Sequence, residues 1–417
     1  MASVVAIPRT RIQRAFQSWR AALAIVVAAA IASGAALAAN QSVQGAKKDE
    51  GGFETEAPTA ILIEAKTGSV LFEKNADQLL QPSSMMKLMT AEVVFNALKK
   101  GTIKLTDEYP VSEYAWRKGG APSGSSTMFA ALNSRVSVDD LLHGAVIQSG
   151  NDSCIILAEG MAGSERDFVT MMTKRAREIG LAQSTFGNSN GLPDPANQMS
   201  VRELSKLARH IILTYPDFYQ LFGQREFTWN KIRQQNRNPL LASMDGADGL
   251  KTGYTKEGGY GLVGSAVQKG LRLVVVVNGM EDSKDRANES KRLLEWGFRN
   301  FETRVLFDAG QTVGYAKVFG GDSGSVKLTA SEPIKIMVQR NGSDKLIARV
   351  VYTGPVRAPI ESGQQIGVIK VWRGANIALE APLYAEEPVG VGSLTQRAVD
   401  GVSELFIGLL RAGVEKL

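Results

Sequence analysis

The chain has 417 residues, 44% of them hydrophobic and 22% charged, with a formal charge of +6, a composition that suits two or three globular domains. Arg9, Arg11, Arg14 and Arg20 stand in the first twenty residues without an acid, and apart from them 44 basic side chains face 42 acidic ones, which leaves no basic surface suited to nucleic acid. One cysteine, Cys154, and two histidines, His143 and His210, exclude an internal disulfide and a zinc centre with several His or Cys ligands; no metal or other cofactor is expected.

In chain order, the four arginines precede an apolar run from Ala21 to Ala39 that ends in Ala36-Leu37-Ala38. A basic start, an apolar middle and an A-x-A end predict a secretory signal over residues 1–38, cleaved after Ala38. An uncleaved membrane anchor is the alternative. Either way the body of the protein is exported. Residues 39–56 are polar and glycine-rich and read as a flexible lead-in.

"TAILIEAKTGSVLFEKNADQ" alternates on both sides of Lys66-Thr67-Gly68, a hairpin with glycine at its turn. "SSMMKLMTAEVVFNALKKG" follows as a helix with Ser83 as N-cap and Gly101 as stop; its apolar residues cover nearly every face, so it should be buried. From Ser137 to Leu213 the pattern is mostly helical, with caps at Ser137, Ser164 and Ser200. A second hairpin turns at Lys269-Gly270, and "SKDRANESKRLLEWGFRNF" returns to helix. Strands at both ends with helices between them predict one α+β domain, an antiparallel sheet beside a helical part, over 57–302.

Residues 303–390 show short alternating strands divided by Asn-Gly, Gly-Pro and Ser-Gly turns, and read as a small β-sandwich. Over 392–417, Leu394, Ala398, Val402, Leu405, Phe406 and Leu409 fall on one helical face. This amphipathic helix either docks on its own domain or lies on a membrane surface.

The chemistry centres on "PSSMMKLMT". Ser84 and Lys87 are three apart, so in a helix the amine can reach the hydroxyl. Burial among methionines disfavours the ammonium and lets lysine act as the base that a serine nucleophile needs. A helix N-terminus also favours the oxyanion formed when Ser84 attacks a carbonyl. Alone, a Ser-x-x-Lys occurs by chance about once in a chain this long, and a capping serine beside a snorkelling lysine explains it equally well.

Two companions strengthen the signal. Ser149-Gly150-Asn151 interrupts two apolar helical segments, where side chains can project into a cleft. Lys251-Thr252-Gly253 stands at the entrance of the second hairpin, where glycine allows an extended ligand to approach a strand edge and the ammonium and hydroxyl can hold an anion. Lys-Thr-Gly also occurs at Lys66, where the tight turn explains it without function. His143 and His210 lie in apolar helical stretches and read as structural, as does Cys154.

This ordered set is the one known from penicillin-binding proteins and class A β-lactamases. With "GSSTMF", "QSGNDSC", "RQQNRNPLL", "DGLKTGYT" and "ESKRLLEWGFRNFET" in place, the chain resembles the low-molecular-mass penicillin-binding proteins that act as serine-type D-Ala-D-Ala carboxypeptidases, over roughly Pro58 to Leu417. The resemblance implies a penicillin-binding/β-lactamase-like transpeptidase domain, then the β-sandwich and the terminal helix. It implies Ser84 as nucleophile, Lys87 as general base, Ser149 and Asn151 as proton relay and amide holder, and Lys251, Thr252, Gly253 and Arg286 around the substrate carboxylate. The oxyanion hole would be the backbone N–H groups of Ser84 and Tyr254. Some family members carry histidine at the Tyr254 position, so the tyrosine side chain has no implied role. A solvated charge is the competing account of Arg286.

The expected activity is removal of the terminal D-Ala from peptidoglycan stem pentapeptides, with β-lactams as covalent inhibitors. The expected location is the periplasm, peripherally attached by the last helix to the outer face of the inner membrane. A DD-endopeptidase or β-lactamase-like hydrolase is the nearest alternative; "FGNSNGLPDPANQ" offers only Asp194 to activate a deacylating water. A catalytically silent envelope scaffold or β-lactam sensor is the alternative of another class, against which Lys87 and Lys251 argue.

Overall fold

The computed structural model describes residues 53–340, 342, 345–374 and 376–401. The expected signal segment, the lead-in up to residue 52 and residues 402–417 of the terminal helix lie outside the described residues.

Strand β1 (Thr59–Glu64) and strand β2 (Val70–Lys74) form the first hairpin. At its turn the Glu64 carboxylate accepts hydrogen bonds from the backbone of Lys66 and Thr67 and from the Thr67 hydroxyl, so this first Lys-Thr-Gly is a turn and nothing more. A 3₁₀ turn, Ser83–Met86, runs directly into helix α1 (Lys87–Lys99), whose residues 87–95 are all buried. Gly101, at φ +70°, ends it as expected. Then come α2 (Glu113–Gly119), α3 (Val138–His143), α4 (Asn151–Ala162), α5 (Glu165–Glu178) and α6 (Val201–Thr214). Ser137, Ser164 and Ser200 each accept a bond from a backbone N–H three residues on, as capping requires.

Strands β3 (Ala247–Thr255), β4 (Gly259–Gln268) and β5 (Leu271–Met280) complete a five-stranded antiparallel sheet of order β2-β1-β5-β4-β3. Lys269 and Gly270, both at positive φ, make the two-residue turn between β4 and β5. The central strands read as unbroken apolar runs because both faces of the sheet are covered. Ile61, Ile63, Val274 and Val276 face the core shared with the helices. Leu62, Leu273, Val275 and Val277 face a second core under α7 (Ser283–Asn300).

The β-rich part begins at Phe301, two residues before the expected boundary, because β6 (Phe301–Phe307) follows α7 without a linker. It pairs with β9 (Ile334–Gln339). The other strands are β7 (Thr312–Phe319), β8 (Ser325–Thr329), β10 (Leu346–Tyr352), β11 (Val356–Arg357), β12 (Gln365–Arg373) and β13 (Asn376–Ala385). They form a six-stranded sheet, β10-β12-β13-β8-β7-β11, over a third core. Arg373 and Met337 fasten this part to the first hairpin by donating to Val70 O and Ser69 Oγ.

Three expectations need correction. Residues 53–56 do not hang free: Phe53 packs on Phe72 and Trp296, and Thr55 Oγ1 donates to Glu289. Apolar and polar partners thus hold a stretch that composition alone marks as mobile. Ser83 is not a cap; its φ is +51° and its hydroxyl lies 2.9 Å from Thr255 Oγ1 on β3. Lys251-Thr252-Gly253 does not introduce the 259–280 hairpin but lies within a strand of its own, β3, on the outer edge of the sheet. Of the expected terminal helix, residues 394–401 are described and helical, with Asp400 accepting from Gly320 N, while Leu394 and Val399 are exposed.

Candidate active site

Ser84 sits in the middle of the 3₁₀ turn and Lys87 opens α1, so the two share a face as their spacing predicts. Met85, Met86, Leu88 and Met89 are wholly buried around them. Lys87 is 2% exposed, and its amine has three acceptors: Ser84 Oγ at 2.9 Å, Asn151 Oδ1 at 2.7 Å and the backbone oxygen of Asn190 at 2.5 Å. Burial is the main reason its pKa falls to about 8; the Arg237 charge works in the same direction, against Cys154 and Asp152.

These contacts have a directional consequence. A neutral amine keeps two N–H donors and one lone pair, and the two amide oxygens take the donors. The lone pair is left for the Ser84 hydroxyl. The arrangement can therefore deprotonate the serine without a histidine. His210 bonds to Glu92, and His143 stacks on Phe227 and meets Asp139 O. Cys154 is buried and its thiol is pushed up to about 11, mainly by that burial, so it is inert.

Asn151 owes its position to the break that the sequence marks. After a single π-helical turn, Gly144–Gln148, the chain passes through Ser149 at φ +66° and begins α4. Asn151 Nδ2 donates to Ser125 Oγ at 2.9 Å, and its backbone N–H to Ser126 O at 2.7 Å. The next residue, Asp152, is buried and accepts from Thr127 Oγ1, Met128 N and Ala130 N, fixing the "GSSTMF" loop beside the site. Ser149 is 2% exposed, and among the described residues its hydroxyl has no hydrogen-bond partner.

Strand β3 forms the opposite wall. A Cβ on Gly253 would stand 3.0 Å from Pro82 O and 3.1 Å from Met85 N, so a larger residue would press this strand away from the serine turn by a few tenths of an ångström. Lys251 is buried, donates to Thr252 O, and is held well below the ordinary lysine pKa, first by burial and then by the charges of Lys87 and Arg237. Thr252 is buried beside it, while Tyr254 is exposed and stacks on Tyr260. Arg286 is not a solvated charge: it is 9% exposed, lies 5.6 Å over the Tyr260 ring, and leaves Nε without a partner.

Lys87 thus touches both Ser84 and Asn151, Gly253 lies against Pro82 and Met85 of the serine turn, and the charges of Arg237 and Arg286 act with that of Lys87 on Lys251. Four contributors are not singled out by sequence reasoning: the Asn190 carbonyl, Ser125, Asp152 and Arg237, whose guanidinium donates to Ser126 Oγ. "GSSTMF", "QSGNDSC" and "RQQNRNPLL" contain three of them, Ser125, Asp152 and Arg237, as parts of the resemblance. A backbone oxygen leaves no side-chain signature at all.

The D-alanyl-D-alanine carboxypeptidase family matches residues 42–282, and the penicillin-binding protein 5 C-terminal domain matches residues 301–390. The chain is 40% identical over 374 residues to D-alanyl-D-alanine carboxypeptidase DacC of Escherichia coli K12, covering 89% of this chain and 92% of that protein. It is 40% identical over 338 residues to D-alanyl-D-alanine carboxypeptidase DacA of Haemophilus influenzae, covering 80% and 85%. The crystal structure of penicillin-binding protein 5 from Haemophilus influenzae matches with a TM-score of 0.69 at 37% identity, over 83% of this chain and 100% of that one.

Proposed function

The chain belongs to the D-alanyl-D-alanine carboxypeptidase family and is a serine-type D-Ala-D-Ala carboxypeptidase; on that premise we propose that Ser84 is its nucleophile, Lys87 its base and the peptidoglycan stem pentapeptide its substrate. The observation that carries this reading is the buried Lys87 amine with Ser84 at 2.9 Å and two of its N–H bonds donated to fixed amide oxygens.

The neutral amine takes the Ser84 proton as Oγ bonds to the carbonyl carbon of the penultimate D-Ala. The oxyanion is met by the backbone N–H groups of Ser84 and Tyr254. Collapse breaks the C–N bond; the departing D-Ala nitrogen receives the proton from Lys87 by way of the Ser149 hydroxyl. Water then attacks the ester and frees Ser84. Asn151 holds the substrate amide, while Lys251, Thr252 and Arg286 hold the terminal carboxylate by charge-assisted bonds. Gly253 lets the peptide run along β3 as an added strand. A β-lactam ring opens by the same attack.

The protein acts in the periplasm, with the helix starting at residue 394 attaching it to the outer face of the inner membrane. Support comes from Leu394, the first residue of the apolar face, which is exposed. Incubation with a peptide ending in D-Ala-D-Ala is expected to release D-Ala, and Ser84→Ala to abolish both that release and labelling by fluorescent penicillin. A Ser84→Ala variant that still releases D-Ala overturns the assignment. Deleting residues 392–417 is expected to free the protein from membranes, and unchanged retention refutes the attachment.

A further inference from the structure

The Asn190 carbonyl that takes one Lys87 N–H sits in Ser189-Asn190-Gly191, a buried stretch that belongs to no helix or strand. Such a stretch holds a carbonyl in place only if something else holds the stretch. On one side Ser189 O accepts from Thr90 Oγ1 at 2.5 Å. On the other, the Glu165 carboxylate accepts both from Ser189 N at 2.9 Å and from Ser189 Oγ at 2.6 Å. Its second oxygen accepts from the Tyr114 hydroxyl at 2.9 Å. Glu165 is the first residue of α5, after the Ser164 cap, and Tyr114 belongs to α2. One half-buried carboxylate therefore joins two helices to the segment that aims the base.

We propose that Glu165 is a positioning residue for the acylation step: by fixing Ser189 it keeps the Asn190 carbonyl on Lys87 and so keeps the amine lone pair on Ser84. The inference rests on Lys87 being the base. The Asn188 and Asn190 side chains close the segment on itself, accepting from Asn190 N, Gly191 N and Leu192 N, whereas the Thr90 and Glu165 bonds anchor it to the helices; without the two bonds to Glu165, only the Thr90 bond at Ser189 O ties Ser189 to a helix among the described residues. A displacement of about 1 Å at the reacting atoms can cost on the order of a hundredfold in rate. The charged and titratable groups around Lys87 are Lys251, Arg237, Asp152 and Cys154, of which Cys154 also feels the Glu165 charge; Glu165→Ala and Glu165→Gln remove that charge alike, so the comparison between them isolates the hydrogen bonds.

The test is the second-order rate of acylation by fluorescent penicillin, followed from pH 6 to 10 with the full chain. Glu165→Ala is expected to lower the rate by about 10- to 100-fold. It should also move the acid limb to lower pH, because an ammonium that loses an acceptor is less stable. Glu165→Gln keeps an oxygen for Ser189 and is expected to restore the rate to within about threefold and return the limb to its place. Wild-type rate and limb in a folded Glu165→Ala protein overturn the proposal, as does a Glu165→Gln protein as slow as Glu165→Ala. If Glu165→Ala does not fold, Ser189→Ala removes one of the two bonds; a slowed rate with a lowered limb supports the proposal, and an unchanged rate overturns it. Lys87→Ala, run beside these, separates failure of the base assignment from failure of the positioning role.

Discussion

Asn151 Oδ1 lies 2.7 Å from Lys87 Nζ, nearer to the amine than the Ser84 hydroxyl that the amine is proposed to activate. The stronger partners of the lysine are thus the groups that never react. They spend its N–H bonds and leave the lone pair facing the serine.

With the Lys87 pKa at about 8, roughly a tenth of the lysine is neutral at pH 7. Acylation by penicillin should therefore rise with pH through a midpoint near 8. Asn151→Asp adds a negative charge beside the amine, favours the ammonium, and is expected to move that midpoint upward. Asn151→Ala leaves one N–H unassigned and should slow acylation on the order of a hundredfold. Stopped-time labelling across pH 6 to 10 distinguishes the two.

Arg237 depresses both lysines of the site and, among the described residues, donates a hydrogen bond only to the neutral Ser126 hydroxyl. Arg237→Gln removes that charge and is expected to raise the Lys87 midpoint and lower the rate measured at pH 7. A midpoint that stays in place would mean that burial alone sets it.

The segment from Phe186 to Gln198 carries one acid, and Asp194 is engaged in its own turn, accepting from Ala196 N at 2.8 Å. It offers no free base for the water that must cleave an acyl-enzyme. A penicilloyl adduct on Ser84 should persist long enough for intact-mass measurement, and rapid loss of free penicillin in the presence of the enzyme would contradict this.

Glu92 is completely buried, and bonds from His210, Arg175 and Tyr215 overcome the upward push of burial to hold its pKa below the usual carboxylate range. A carboxyl depressed on folding contributes stability above its unfolded pKa and loses it as pH falls through the folded value. Glu92→Gln removes one of the two acidic partners of Arg175, the other being Glu178, and should cost about 1–3 kcal/mol at pH 7. Its unfolding midpoint should also depend less steeply on pH below about 4.5 than that of the wild type, as thermal melts at a series of pH values would show.

Much of this molecule is legible locally. The serine caps, the glycine-terminated turns and the buried all-apolar helix follow from nearest-neighbour chemistry, and Ser84 with Lys87 follows from helical spacing. What was not legible depends on distant partners. Lys251-Thr252-Gly253 belongs to an edge strand because β4 supplies its neighbour, and nothing inside the triplet says so. Ser83 resembles a cap by type and position, yet its hydroxyl pairs with that of Thr255, 172 residues away. Asn190 and Glu165 act through a carbonyl and through a contact to another loop, and neither has a spacing to recognise.

Ser149 holds a left-handed backbone that glycine adopts without the steric penalty of a Cβ, a penalty of roughly 1–2 kcal/mol for other residues. Glycine there would cost the fold little and would remove the hydroxyl proposed to hand the proton on. Selection for heat resistance alone would accept that exchange, so a toughened variant could still bind the antibiotic reversibly and no longer react with it.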